Sequence, residues 1–130
     1  MIVVDASAIL EVLLNTFRAG RVADRLLDPA ETLHSPHLLD LEVAQVLRRY
    51  ALAGELSSAR GEEALEDLAA FPITRYPHDA LLTRIWELRH NVTAYDAAYL
   101  ALAEALGAPL VTRDQALASA PGHSARIELL

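Results

Sequence analysis

The chain opens on an unbroken apolar run, Ile2-Val3-Val4, that stops at Asp5. Three β-branched residues with no polar position on either face predict a short strand covered on both sides, as in a parallel sheet flanked by helices. Helical spacing follows over residues 8–17 and again over 21–27, with Gly20 between them and Asp28-Pro29 closing the second. A short strand is predicted over 32–34. Ser35-Pro36 then reads as the start of a long helix, serine as N-cap and proline at the first helical position, running to about Ala53 before Gly54. Ser57 or Ser58 begins a further helix to Ala70, and Phe71-Pro72 leads into a strand over 73–76. Pro77-His78-Asp79 opens the helix that carries Trp86 and stops near His90-Asn91. Thr93, with Asp96 three residues on, is a variant of the capping box and starts a helix to Leu106 before Gly107. A strand over 109–112, a short helix over 113–118 and a last strand over 125–129 complete the chain, with residues 119–124 as its one flexible loop. Strands alternating with helices predict an α/β protein, a sandwich around a mainly parallel sheet, in a single domain over residues 1–130.

Composition narrows the class. The chain has 130 residues, 53% of them hydrophobic, enough for one domain with a substantial core. No run approaches the roughly 18 apolar residues of a membrane span, and the start lacks the basic segment of a secretory signal, so a cytoplasmic protein without membrane contact is expected. Cysteine is absent, which excludes disulfides, thiolate zinc sites and cysteine nucleophiles. The 18 acids outnumber the 11 bases, all arginine, for a net charge of −7. That balance argues against a broad nucleic-acid-binding face but not against a nuclease, because carboxylates clustered around divalent cations lose their net charge. The lack of lysine weakens both a P-loop and a phosphoacceptor receiver domain, and the five scattered glycines exclude a dinucleotide loop. Ser7 has no flanking glycine and so forms no nucleophile elbow; it also stands where a haloacid-dehalogenase-like phosphatase needs its second aspartate. His34 and His37 do not share a helix face and make a poor zinc pair.

The acids then carry the chemistry. Asp5 ends the first strand and Asp114 lies just beyond the strand over 109–112, and parallel strands present their carboxyl ends on one edge, where ligands gather. Capping of the next helix by Asp5 or Ser7 is the competing reading. Asp96 falls on the apolar stripe of Tyr99, Leu100 and Ala103, where a solvated acid is out of place. Glu42 and Asp40 flank the face of Leu39, Val43, Val46, Leu47 and Tyr50, and periodicity does not choose between them. A carboxylate cluster suits hard cations such as Mg²⁺ or Mn²⁺, which promote phosphodiester hydrolysis. Four carboxylates roughly 5 Å apart repel by about 3 kcal/mol per pair at an effective dielectric near 20, so a cation is expected among them.

Taken together, VVDASAIL, SPHLLDLEVAQVL, TAYDAAYLALAEALGAPLVTRD and the ending after APGH resemble a PIN-domain ribonuclease of the VapC type, the toxin of a type II toxin–antitoxin pair. The resemblance spans essentially the whole chain. It implies a PIN-like three-layer α/β/α sandwich, a homodimer, and Mg²⁺ (or Mn²⁺) held by four acids, which fall here on Asp5, Glu42, Asp96 and Asp114. It favours Glu42 over Asp40, and Ser7 and Thr112 match supporting hydroxyl positions. Gln45 departs from the family's usual asparagine. The implied activity is endoribonuclease action by a metal-activated water, leaving 5′-phosphate and 3′-hydroxyl ends, with Asp5 and Asp96 as direct ligands and Glu42 and Asp114 holding waters or a second ion. The implied partners are an RNA substrate and a cognate antitoxin protein. Arg48, Arg49, Arg84 and Arg89 are the candidates for RNA phosphate contacts. The alternative is a catalytically weak module of the same fold that binds RNA or protein.

Overall fold

The computed structural model describes residues 1–16 and 19–130. In chain order the elements are β1 (Ile2–Val4), α1 (Ala6–Leu13), α2 (Ala19–Leu26), β2 (Leu33–Pro36), α3 (Leu38–Leu52), α4 (Ser58–Ala70), β3 (Ile73–Tyr76), α5 (Leu82–Glu87), α6 (Ala94–Leu106), β4 (Leu110–Thr112), α7 (Gln115–Ala118) and β5 (Ile127–Leu129). The five strands are all parallel, in the order β3-β2-β1-β4-β5.

Alternation along β1 divides the core in two. Ile2 and Val4 face one side with α1 to α4, through Ile9, Leu13, Val22, Leu39, Val43 and Leu68. Val3 faces the other with α6 and the α5 region, through Leu88, Tyr99, Leu100, Leu102 and Leu110. Burial on both faces is why β1 and β4 carry no polar side chain before their last residue. The result is the expected three-layer α/β/α sandwich.

The order of the strands fixes where a ligand can sit. From β1 the chain steps outward to β2 and β3 on one side, then returns to β4 and β5 on the other. The switch therefore falls between β1 and β4, and the crevice beyond their carboxyl ends is the natural binding place in such a sheet.

Several local expectations change. Ser35 and Pro36 end β2 and do not open α3; Pro36 pairs with Tyr76, and the buried Ser35 hydroxyl donates across the sheet to the carbonyl of Val4 at 2.9 Å. His37 takes the N-cap position of α3 without a side-chain cap bond. The first helix starts at Ala6, not residue 8, because Asp5 caps it. Its predicted end at Phe17 lies outside the described residues; α1 ends at Leu13. Gly20 lies inside α2. The predicted helix around Trp86 is a 3-10 turn, Asp79–Leu81, running into the short α5. The loop over 119–124 is anchored: Arg84 donates to the carbonyl of Gly122 at 3.2 Å, and Gly122, at φ +90°, packs so closely on Asn91 that a Cβ would lie 2.1 Å from its Nδ2.

Candidate active site

Asp5 caps α1, and its two oxygens have different partners. Oδ1 accepts from the Ala8 amide at 3.0 Å and the Ser7 hydroxyl at 2.7 Å, while Oδ2 accepts from the Thr112 hydroxyl. The hydroxyls themselves are held from β4: Ser7 accepts from the Arg113 amide at 2.8 Å and Thr112 from the Asp114 amide at 2.9 Å. This network joins the ends of β1 and β4 across the switch point. Only 5% of Asp5 is exposed, and burial holds its carboxyl above the usual range; the bonds from Thr112, Ser7 and Ala8 oppose that shift and the Asp114 charge adds to it.

The other three acids approach from different elements. Asp114 caps α7, with Oδ1 accepting from the Ala116 and Leu117 amides at 2.9 and 3.2 Å. Asp96 sits in the first turn of α6, where Thr93 caps its amide at 3.2 Å; partial burial raises its carboxyl, and Asp114 adds to the rise. Glu42 projects from α3 and accepts from the Tyr99 hydroxyl at 2.5 Å. Burial pushes Glu42 up, the Tyr99 bond pulls it down, and the charges of Asp96 and Asp5 add to the rise. Buried Tyr99 is itself pushed far above the ordinary phenol range, by burial and then by Glu42. Asp40, the competing α3 acid, is held on the opposite flank by a bidentate ion pair with Arg75, at 2.8 and 2.9 Å.

The pairing of charges sets the four apart. Among the described residues, the other acids that are shielded from solvent each meet an arginine: Glu11 with Arg113, Glu31 and Glu128 with Arg25, Asp40 with Arg75, Glu104 with Arg84. Asp5, Glu42, Asp96 and Asp114 meet none among the described residues. They act on one another as charges across the switch point, although no three acidic or histidine side chains among the described residues converge on one point. By donor chemistry the set fits a hard divalent cation, since it is all oxygen, negatively charged and without a competing guanidinium.

Two clefts flank these acids. One, of about 670 Å³, is lined by Arg89, His90, Thr93 and Asp96; the other, of about 420 Å³, is lined by Leu38, Leu41, Glu42, Arg49 and Tyr95. Arg48 and Arg49 are exposed on α3. Arg89 stacks on Trp86 at 4.6 Å. Arg84 is engaged within the fold, by Glu104 at 3.1 and 3.2 Å and Glu87 at 3.0 Å. Tyr99 was not expected at the site: three residues after Asp96 on an apolar stripe, it reads as core, and only its hydroxyl reveals the second role.

An all-parallel sheet with Asp5 and Asp114 at its switch point, and Glu42 and Asp96 within reach of their charges from α3 and α6, defines an acid-site α/β/α sandwich. The PIN domain family model matches residues 2–122. Ribonuclease VapC9 of Mycobacterium tuberculosis is 53% identical over 114 residues, covering 88% of this chain and 86% of that protein. Ribonuclease VapC1 of the same organism is 44% identical over 129 residues, covering 98% and 96%. The solved VapBC2 from Rickettsia felis, bound to a DNA fragment from their promoter, shares the fold with a TM-score of 0.71 at 14% identity, covering 99% of this chain and 98% of that one. The chain belongs to the PIN domain family and, within it, to the VapC-type ribonuclease toxins of type II toxin–antitoxin pairs. Among the described residues no helix is long and apolar enough to cross a membrane.

Proposed function

We propose that this ribonuclease is a divalent-metal-dependent endonuclease, a homodimeric cytoplasmic toxin held inactive by a cognate antitoxin, with Asp5, Glu42, Asp96 and Asp114 as its metal-binding acids. The observation that carries the reading is the charge pattern: the shielded acids without an arginine partner among the described residues are these four, two of them at the ends of β1 and β4 and the other two within reach of their charges. A bound Mg²⁺ or Mn²⁺ supplies a more acidic attacking water and charge stabilisation for the departing 3′ oxygen. The chain's own residues prepare the site for it. Ser7, Thr112 and the Ala8 amide keep Asp5 in one orientation, as a ligand requires. Tyr99 does the same for Glu42, while Asp96 and Asp114 keep oxygens free to turn toward a cation.

The test is RNA cleavage by the purified protein with Mn²⁺ or Mg²⁺, compared with chelator and with Asp96→Asn. Expected are metal-dependent cleavage with 5′-phosphate and 3′-hydroxyl ends, and a rate loss of roughly 100-fold in the variant with RNA binding retained. Cleavage in chelator, or cyclic phosphate ends, overturns the metal mechanism. Binding without cleavage under every condition supports the module reading.

A further inference from the structure

We propose that Tyr95 is a base-stacking residue, forming with Arg49 a subsite for an unpaired nucleotide beside the scissile phosphate; this rests on the ribonuclease reading of the acidic site. Tyr95 is 63% exposed in the first turn of α6, although Thr93 supplies that helix's cap and residues 97–103 its buried face. Neither capping nor the core explains an aromatic ring there.

The surroundings of Tyr95 suit a nucleotide. Its groove has apolar walls, Leu38, Leu41 and Val46, and Leu41 is 73% exposed. Glu42 and Arg49 both line this groove from α3, seven residues or about two helical turns apart, so an occupant of it meets apolar walls, a guanidinium and one of the four acids. One nucleotide offers the matching parts, a base with a π face and a phosphate. Tyr95 and Asp96 are adjacent in sequence yet line different clefts, Tyr95 the one that Glu42 also lines. Among the described residues the arginines without a carboxylate partner are Arg21, Arg48, Arg49 and Arg89, and two of these, Arg49 and Arg89, line the two clefts. In a chain of net charge −7, such local cations must supply the attraction for phosphate. Splayed single strands, not duplexes, expose a base to such a ring.

The experiment measures binding of a labelled oligouridylate by fluorescence anisotropy in chelator, so that no cleavage is required, with a duplex of the same length alongside. Tyr95→Ala should weaken single-strand binding about 10-fold, with Tyr95→Phe and Tyr95→Trp within roughly twofold of wild type and duplex binding unchanged. Arg49→Ala should also weaken it and lower the salt dependence by about one counterion. Single-strand binding unchanged in Tyr95→Ala, an equal loss on duplex, or no binding by the wild type overturns the subsite. So does a loss confined to a peptide from the antitoxin, which would make the groove a protein-docking surface. Bulk RNA cleavage with Mn²⁺ is scored separately. An aromatic-dependent binder that cleaves nothing keeps the subsite and refutes the ribonuclease reading; active cleavage with indifferent Tyr95 variants does the reverse.

Discussion

Glu42 depends on Tyr99 for its orientation. The phenol donates to Oε1 at 2.5 Å from a residue that is 1% exposed, so the donor cannot swing away and the carboxylate is held in place. That bond favours the ionised acid, while burial, Asp96 and Asp5 favour the neutral one. Tyr99→Phe keeps the packing and deletes only the donor. Glu42 should then titrate still higher, and the acidic limb of the metal-dependent cleavage profile should move to higher pH. Denaturant unfolding at neutral pH should show a loss of about 1 kcal/mol, the usual scale for one hydrogen bond. An unmoved pH profile would mean that Glu42 takes no part in the site. Asp5 shows a related behaviour, since capping and site chemistry are often weighed as alternatives. Here one oxygen carries the cap and the other accepts from Thr112, so capping does not use up the carboxylate.

At the scale of elements, the signals that read correctly are those whose chemistry is completed within a few residues. Ser57 caps α4, Thr93 caps α6, and Gly107 ends α6 at φ +61°, each by bonds to near neighbours. Ser35-Pro36 carries an equally good helix-start signal and is strand, because the Ser35 hydroxyl finds the Val4 carbonyl 31 residues away. Ser35→Ala should therefore behave as a sheet variant, destabilising by about 1 to 2 kcal/mol in denaturant unfolding, with helix content by circular dichroism unchanged. A loss of α3 helicity would restore serine as its cap. The acids divide in the same way. Asp5, Asp114 and Asp96 are legible from strand ends and a helical stripe. The choice of Glu42 over Asp40 is not, because it turns on partners 57 and 35 residues away, Tyr99 for one and Arg75 for the other. The family resemblance made that choice where periodicity could not.

For the whole molecule, the charge pattern implies opposite pH responses in different regions. Glu31 and Glu128 are held below the usual range, Glu31 chiefly by the N-terminal amine and Arg25, Glu128 chiefly by Arg25; their contribution is present above the unfolded value and fades on acidification. Asp5, Glu42 and Asp96 are all raised, so between their unfolded and folded values the native state binds more protons than the unfolded chain. Stability from these three is present at low pH and lost as pH rises through their folded values. At neutral pH without metal, these carboxylates stay charged against burial first and one another's charge second, a cost that Asp96→Asn removes at its own position. In chelator that variant should melt above wild type by roughly 3 °C, corresponding to less than about 1 kcal/mol, because Asp96 is half in solvent and screened. A cation reverses the order by binding the ionised oxygens of the folded state alone: saturation at a hundredfold over its dissociation constant adds about 2.7 kcal/mol. Mn²⁺ should therefore raise the wild-type midpoint by several degrees near pH 8 and far less near pH 5, where protons compete, and should move Asp96→Asn little at either. A wild type indifferent to millimolar Mn²⁺ at pH 8 would show that these acids do not form a metal site.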